Sequence, residues 1–289
     1  MFSTLSDLPQ RPSRTLSGRV AIVTGAGAQG DGIGNGRAIA ILLAEDGALV
    51  VCVDRDLDLA QRTVQMIEHG LSSPSHTPAP ANSKAIAVQA DVASEQDCRR
   101  VIDTAVSVFG RVDILCNNVG IMGAKGTAPE LDTAQWAQGL QVNVTSMMLM
   151  ARFAIPAMLQ NDPAAGSHIR GSIVNLGSVA GLQGGTPHLL YPTSKGAVVN
   201  MTRAMAAQHG KDGIRVNCVC PGMLYTPMMY GGGMSEEIRE RRRKRSILQT
   251  EGNAWDCASA VRFLTGDDAR WITGTVLTVD AGATAAGFV

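Results

Sequence analysis

RVAIVTGAGAQGDGIGNGRAIAILLAEDGALVVCVD, residues 19–54, decides the fold. RVAIVT (19–24) is a short apolar run rich in β-branched residues and reads as a buried strand. Glycines then fall at 25, 27, 30, 32, 34 and 36, before GRAIAILLAEDG (36–47), which has helical composition and a terminating Gly47. ALVVCVD (48–54) is a second strand, closed by Asp54. Gly25-x-Gly27-x-x-Gly30 satisfies GxGxxG, a weak signal alone. The order strand, glycine turn, helix, strand and acid is stronger, because it predicts a dinucleotide-binding unit. Without Cβ atoms the turn admits a pyrophosphate, and the opening helix aims its N–H groups at the anion. Asp54, 20 residues after Gly34, is positioned to accept both ribose hydroxyls of NAD and to repel the 2′-phosphate of NADP. Arg55 follows it and softens that preference, so NAD is favoured and NADP is the less favoured alternative.

The same alternation continues outward. Residues 56–70 place Leu57, Ala60, Val64 and Ile67 on one helical stripe. Strands are expected at 85–91, 112–118, 171–178, 214–220 and 274–280, and helices at 94–109 and 190–210. The strands are continuous apolar runs, the pattern of a parallel sheet covered on both faces by helices. The expected fold is therefore α/β: one Rossmann-type, doubly wound, seven-stranded parallel sheet in a single domain over 18–289. Residues 1–17 read as a flexible leader without an apolar signal region. HGLSSPSHTPAPANS (69–83) reads as a surface insertion, and 160–171 as a longer loop before the fifth strand.

Composition excludes several functions. With 289 residues, 45% hydrophobic and 17% charged, the chain buries a large core. Its net charge is zero, which leaves no global field for nucleic acid or an anionic membrane. The longest apolar stretch, 147–159, is interrupted by Arg152 and is too short to span a bilayer. RERRRKR (239–245) stands alone, without interleaved aromatics, and reads as a solvated helix face. Cys52, Cys98, Cys116, Cys218, Cys220 and Cys257 form no CxxC pair, and the five histidines show no ligand spacing, so no metal site is expected. Cys218 and Cys220 are expected on opposite sheet faces. Buried thiols fit a reducing, cytoplasmic location.

YPTSK (191–195) separates a tyrosine from a lysine by four residues, which on a helix share a face. An ammonium within about 4–6 Å favours a phenolate and lowers a phenol pKa by ~1–3 units. Such a pair would donate and accept protons near neutral pH.

Taken together these features resemble the short-chain dehydrogenase/reductase superfamily, over residues 18–282. Thr24, Gly25, Gly32, Ile33 and Gly34 match its TG…GIG. Asp91 and Val92 stand where the family contacts adenine. NNVG (117–120), with Asn118 and Gly120, is similar to NNAG. Asn143, Ser178, Tyr191 and Lys195 match the catalytic tetrad, Pro221 and Gly222 precede Thr226, and ITGTVLTVDAG closes the chain. Six residues separate Gly25 from Gly32, where the family has three, so the phosphate turn is longer. The resemblance implies that Tyr191 exchanges a proton with the substrate oxygen. Lys195 would lower the phenol pKa and bind the nicotinamide ribose. Ser178 would hydrogen-bond the substrate oxygen, and Asn143 would hold a relay water. Asn118 and Gly120 would line the adenosine side, and Thr226 the carboxamide end. It also implies a homo-oligomer, a tetramer or dimer.

Asn143 and Asn200 lie in glycosylation sequons; a glycan on Asn143 would block this site, which disfavours secretion. Met122, Leu182, Met223, Met228, Met229 and Tyr230 are candidate pocket residues for a fairly apolar alcohol or ketone, beneath a lid at about 223–245 hinged at Gly231–Gly233; packing or a subunit contact is an equal reading of the methionines. The alternatives are an NADP(H)-dependent biosynthetic carbonyl reductase and a silent dinucleotide-binding scaffold.

Overall fold

A computed structural model describes residues 11–72, 83–163 and 167–286. Residues 1–10 of the expected leader, 73–82 of the expected insertion and 164–166 of the expected loop lie outside them. Strands β1 (Val20–Thr24), β2 (Leu49–Asp54), β3 (Ala85–Gln89), β4 (Ile114–Asn117), β5 (Gly171–Leu176), β6 (Ile214–Pro221) and β7 (Val276–Val279) form one parallel sheet. Their spatial order is β3-β2-β1-β4-β5-β6-β7. The chain steps outward from β1 to β3, then returns to start again at β4. That reversal opens a crevice at the C-terminal ends of β1 and β4, the place where such sheets bind ligands.

Helices α1 (Asn35–Glu45), α2 (Leu57–His69) and α3 (Glu95–Phe109) connect the first four strands. Asp56 caps α2 and Ser94 caps α3, each by accepting backbone N–H groups of the first turn. Helices α4 (Thr133–Leu140) and α5 (Ser146–Leu159) lie before β5, α6 (Leu190–His209) before β6, and α7 (Pro227–Tyr230), α8 (Glu236–Arg243) and α9 (Ala254–Thr265) before β7. Two large clusters cover the two faces. One gathers Val23, Ile39, Leu43 and Val50 with Val261 and Leu264 of α9; the other gathers Ile22, Val51, Val101 and Leu115 with Met150 and Met158 of α5.

The continuous run 133–159 is long and apolar enough to cross a membrane by length and composition, but half of its most apolar window is buried inside the domain. Packing begins before the expected boundary at 18: Leu16 is 2% exposed and its N–H donates to the Asp46 carbonyl. All six cysteines are free and buried. Cys218 and Cys220 share one face of β6, with their Sγ atoms 3.7 Å apart, contrary to the expected opposite faces. Side chains two apart on a strand repeat the same face. The basic run in α8 is largely neutralised locally: Arg239 grips Glu251, and Arg243 pairs with Glu236 and Glu240.

Candidate functional site

Four side chains converge beyond the ends of β4 and β5. Ser178 follows β5 directly, and its Oγ accepts the Ala180 N–H at 3.2 Å, fixing a single helical turn over Val179–Gly181. That turn packs on the backbone of α6 at Lys195, where a Cβ on Gly181 would collide. Tyr191, in the first turn of α6, hydrogen-bonds Ser178. Lys195 lies one turn on, 3% exposed, with Nζ donating to the Leu176 carbonyl at 2.8 Å and standing 5.8 Å from the Tyr191 ring centre. Gly120 makes room for it, since a Cβ there would lie 3.1 Å from Nζ.

Asn143 is completely buried in a π-helical turn, Gln141–Thr145, that joins α4 to α5. Such widened turns re-aim a side chain within a helical run. Its Oδ1 accepts the Ile121 N–H at 2.8 Å, and its Nδ2 donates to the Ile121 carbonyl and to Ser194 Oγ. Ser194 in turn donates to the Tyr191 carbonyl. Asn143 thus ties the loop after β4 to the first turn of α6.

The expected lowering of the Tyr191 phenol by Lys195 is absent. Burial pushes the phenol above its ordinary value, with the Ser178 hydrogen bond opposing that rise. Burial also drives the Lys195 ammonium down to about 8. The lysine is held on a carbonyl rather than on the phenol oxygen.

On the other side of the crevice, Asn118 Nδ2 donates to the Thr24 and Gly25 carbonyls, and its N–H donates to Thr24 Oγ1, pinning the end of β1 against β4. Asp54 accepts the Gly27 N–H at 2.9 Å and the Asp56 N–H at 3.1 Å. A Cβ on Gly27 would lie 2.8 Å from Asp54 Oδ2, so turn and carboxylate interlock. An open depression beside Asp54 is lined by Arg55, Asp56, Leu57, Asp58 and Gln89. Asp91 accepts the Ala93 N–H, while Val92 is buried. Pro221 ends β6, and Thr226, 7% exposed, starts α7.

The glycine turn differs from its sequence reading. Gly34 caps α1 and Asn35 opens it. Gly36, which sequence reading did not single out as a site residue, packs so closely on β1 that a Cβ would overlap the Gly25 carbonyl oxygen. The close-packed Gly-x-Gly is therefore Gly34-Asn35-Gly36. Gly32 and Ile33 belong to the extra turn, where a Cβ on Gly32 would lie 2.7 Å from Pro227 Cγ and 3.2 Å from the Tyr230 hydroxyl. Six glycines in twelve residues hide this shift of two positions, which only the start of α1 reveals.

A family model described as enoyl-(acyl carrier protein) reductase matches residues 27–284. 2-(S)-Hydroxypropyl-CoM dehydrogenase 3 of Xanthobacter autotrophicus is 36% identical over 94% of this chain and 99% of its own. Meso-2,3-butanediol dehydrogenase of Serratia marcescens is 33% identical over 92% and 95%. A crystal structure from Burkholderia xenovorans, described as a short-chain dehydrogenase/reductase, superimposes with a TM-score of 0.83 at 36% identity, covering 94% of this chain and 99% of that one.

Proposed function

The chain belongs to the short-chain dehydrogenase/reductase superfamily, and on that premise we propose that it interconverts a secondary alcohol and a ketone with NAD(H), using Tyr191 as the general acid/base. That it is an NAD(P)-dependent oxidoreductase acting on CH–OH groups follows from the family and from relatives named as dehydrogenases of hydroxypropyl-CoM and of butanediol. The observation that carries the finer reading is the convergence of Tyr191, Ser178 and Lys195 at the crevice beyond β4 and β5.

The residues present fit a dinucleotide. Gly25, Gly27 and Gly36 leave no room for side chains, and the Asn35 Oδ1 atom is buried without a hydrogen-bond partner. Asp54 would hold the adenosine ribose, Asp91 and Val92 the adenine, Asn118 and Gly120 the adenosine side, Lys195 and Tyr191 the nicotinamide ribose, and Pro221 and Thr226 the carboxamide end. Gly25, Gly32, Ile33, Gly34 and Gly36 would form the phosphate turn. The cofactor supplies or accepts the hydride. Tyr191 holds or moves the proton at its phenol oxygen. Ser178 hydrogen-bonds the same substrate oxygen as charge develops there. Lys195 would hold the nicotinamide ribose and place its ammonium one helical turn from the phenol. Asn143 keeps the two sides in register and would anchor the relay water.

Met122, Leu182, Met223, Met228 and Met229 are exposed apolar side chains, and as pocket-lining residues they would favour a fairly apolar substrate. The segment 223–245 is its lid, and exposed Val108 and Met148 on α3 and α5 offer a face for the homo-oligomer. Titrating the protein with NADH and NADPH, then following reduced-nicotinamide absorbance across a panel of ketones, tests the reading. NADH binding with turnover of an apolar ketone supports it; binding of neither cofactor sinks it.

A further inference from the structure

With the close-packed pair at Gly34 and Gly36, the glycine turn carries five more residues than the superfamily pattern, and one buried side chain organises it. Arg37, in the first turn of α1, is 0% exposed. Its guanidinium donates to the carbonyls of Ala28 at 3.0 Å, Gly30 at 2.8 Å and Gly32 at 2.6 Å. Nε donates to Thr63 Oγ1, which itself donates to the Ala26 carbonyl. Every second carbonyl from 26 to 32 therefore points at the α2 side of the turn. Among the described residues no acid neutralises the guanidinium by direct contact, and burial lowers its pKa to about 10. A fork of fixed donors suits three carbonyls in a way that a flexible ammonium does not.

The geometry has a consequence for the opposite side. All peptide bonds described are trans, so each N–H points opposite to the preceding carbonyl. The N–H groups of Gln29, Asp31 and Ile33 therefore face away from the guanidinium. On its outer side the turn also meets Pro227 and Tyr230 of α7 at Gly32.

We propose that Arg37 is a positioning residue for the dinucleotide: it folds the lengthened turn around its guanidinium so that the N–H groups of Gln29, Asp31 and Ile33 are presented to the cofactor's phosphates, and the turn seats α7. The inference rests on the cofactor reading above. Arg37 touches no reacting atom, so its loss acts on cofactor affinity and spares the chemical step.

NADH titration followed by fluorescence, on the unaltered protein, Arg37→Met and Arg37→Lys, separates the outcomes. The expected result is at least a tenfold weaker NADH affinity for Arg37→Met, an intermediate value for Arg37→Lys, and kcat at saturating cofactor within threefold for both. A folded Arg37→Met protein that binds NADH within twofold of the unaltered protein overturns the inference while leaving the oxidoreductase reading standing. An unaltered protein that binds neither NADH nor NADPH overturns both. If Arg37→Met does not fold, amide hydrogen exchange on the unaltered protein decides. Slowing at Gln29, Asp31 and Ile33 when NADH is added supports the role, and unchanged exchange there overturns it.

Discussion

Replacing Lys195 with methionine should make the cofactor-free protein more stable while destroying its activity. The ammonium is 3% exposed and makes one hydrogen bond, to the Leu176 carbonyl. Burial lowers its pKa from 10.5 to about 8, which corresponds to about 3 kcal/mol at ~1.4 kcal/mol per pH unit. Losing the hydrogen bond returns about 1 kcal/mol. The net gain at pH 7 is then about 2 kcal/mol, or roughly 4–8 °C in melting temperature for a domain of this size. The pH dependence has a definite sign. Between about pH 8 and 10.5 the unfolded chain binds the lysine proton and the folded chain releases it, so the unaltered protein gains stability as pH rises there. By pH 9 it recovers about 1.4 kcal/mol and the advantage of Lys195→Met shrinks accordingly. Thermal melts of both proteins at pH 7 and pH 9, without cofactor, measure this directly. A variant that melts below the unaltered protein at pH 7, or a gap equal at both pH values, refutes the reasoning. The physical point is that this lysine is kept for chemistry at a cost to the fold.

Two further outcomes follow from the crevice. Gly36→Ala places a methyl group on the Gly25 carbonyl, so NADH titration should show at least tenfold weaker binding together with a lower melting temperature; an unchanged affinity contradicts the shifted glycine register. Asp54→Ser removes the carboxylate that accepts the Gly27 N–H, and the ratio of NADP to NAD in kcat/KM should rise at least tenfold in steady-state assays. A constant ratio removes Asp54 from cofactor selection.

The sheet was legible because its parallel strands are short apolar runs, most of them closed by a glycine or an acid. VAIVT, LVVCVD and IRVNCVCP stand out without tertiary information. Helices α4, α5 and α9 were not assigned. In the run 147–159 the exposed stripe of α5 carries Met148 and Leu159 beside Arg152, so apolar residues stand on the outer face as well as on the face packed under the sheet, and helical periodicity is faint. The tetrad residues were legible from joint spacing, but their electrostatics were not. Whether burial or a neighbouring ammonium governs Tyr191 depends on where Nζ sits, and the Leu176 carbonyl that holds it is no sequence signal. Gly36 and Arg37 were missed for a related reason. Among repeated glycines, only contact with Gly25 distinguishes the one that must lack a side chain, and RA after GNG gives no hint that the arginine folds back over the turn.

The central claim is that the phenol of Tyr191 carries the substrate proton. Initial rates on a turned-over secondary alcohol at saturating NAD, for the unaltered protein and Tyr191→Phe, test it most directly. The account predicts a fall of about 10³-fold, within the range of lost general acid/base catalysis, with NADH affinity falling by no more than about tenfold for the lost ribose contact. Equal rates for the two proteins would contradict it.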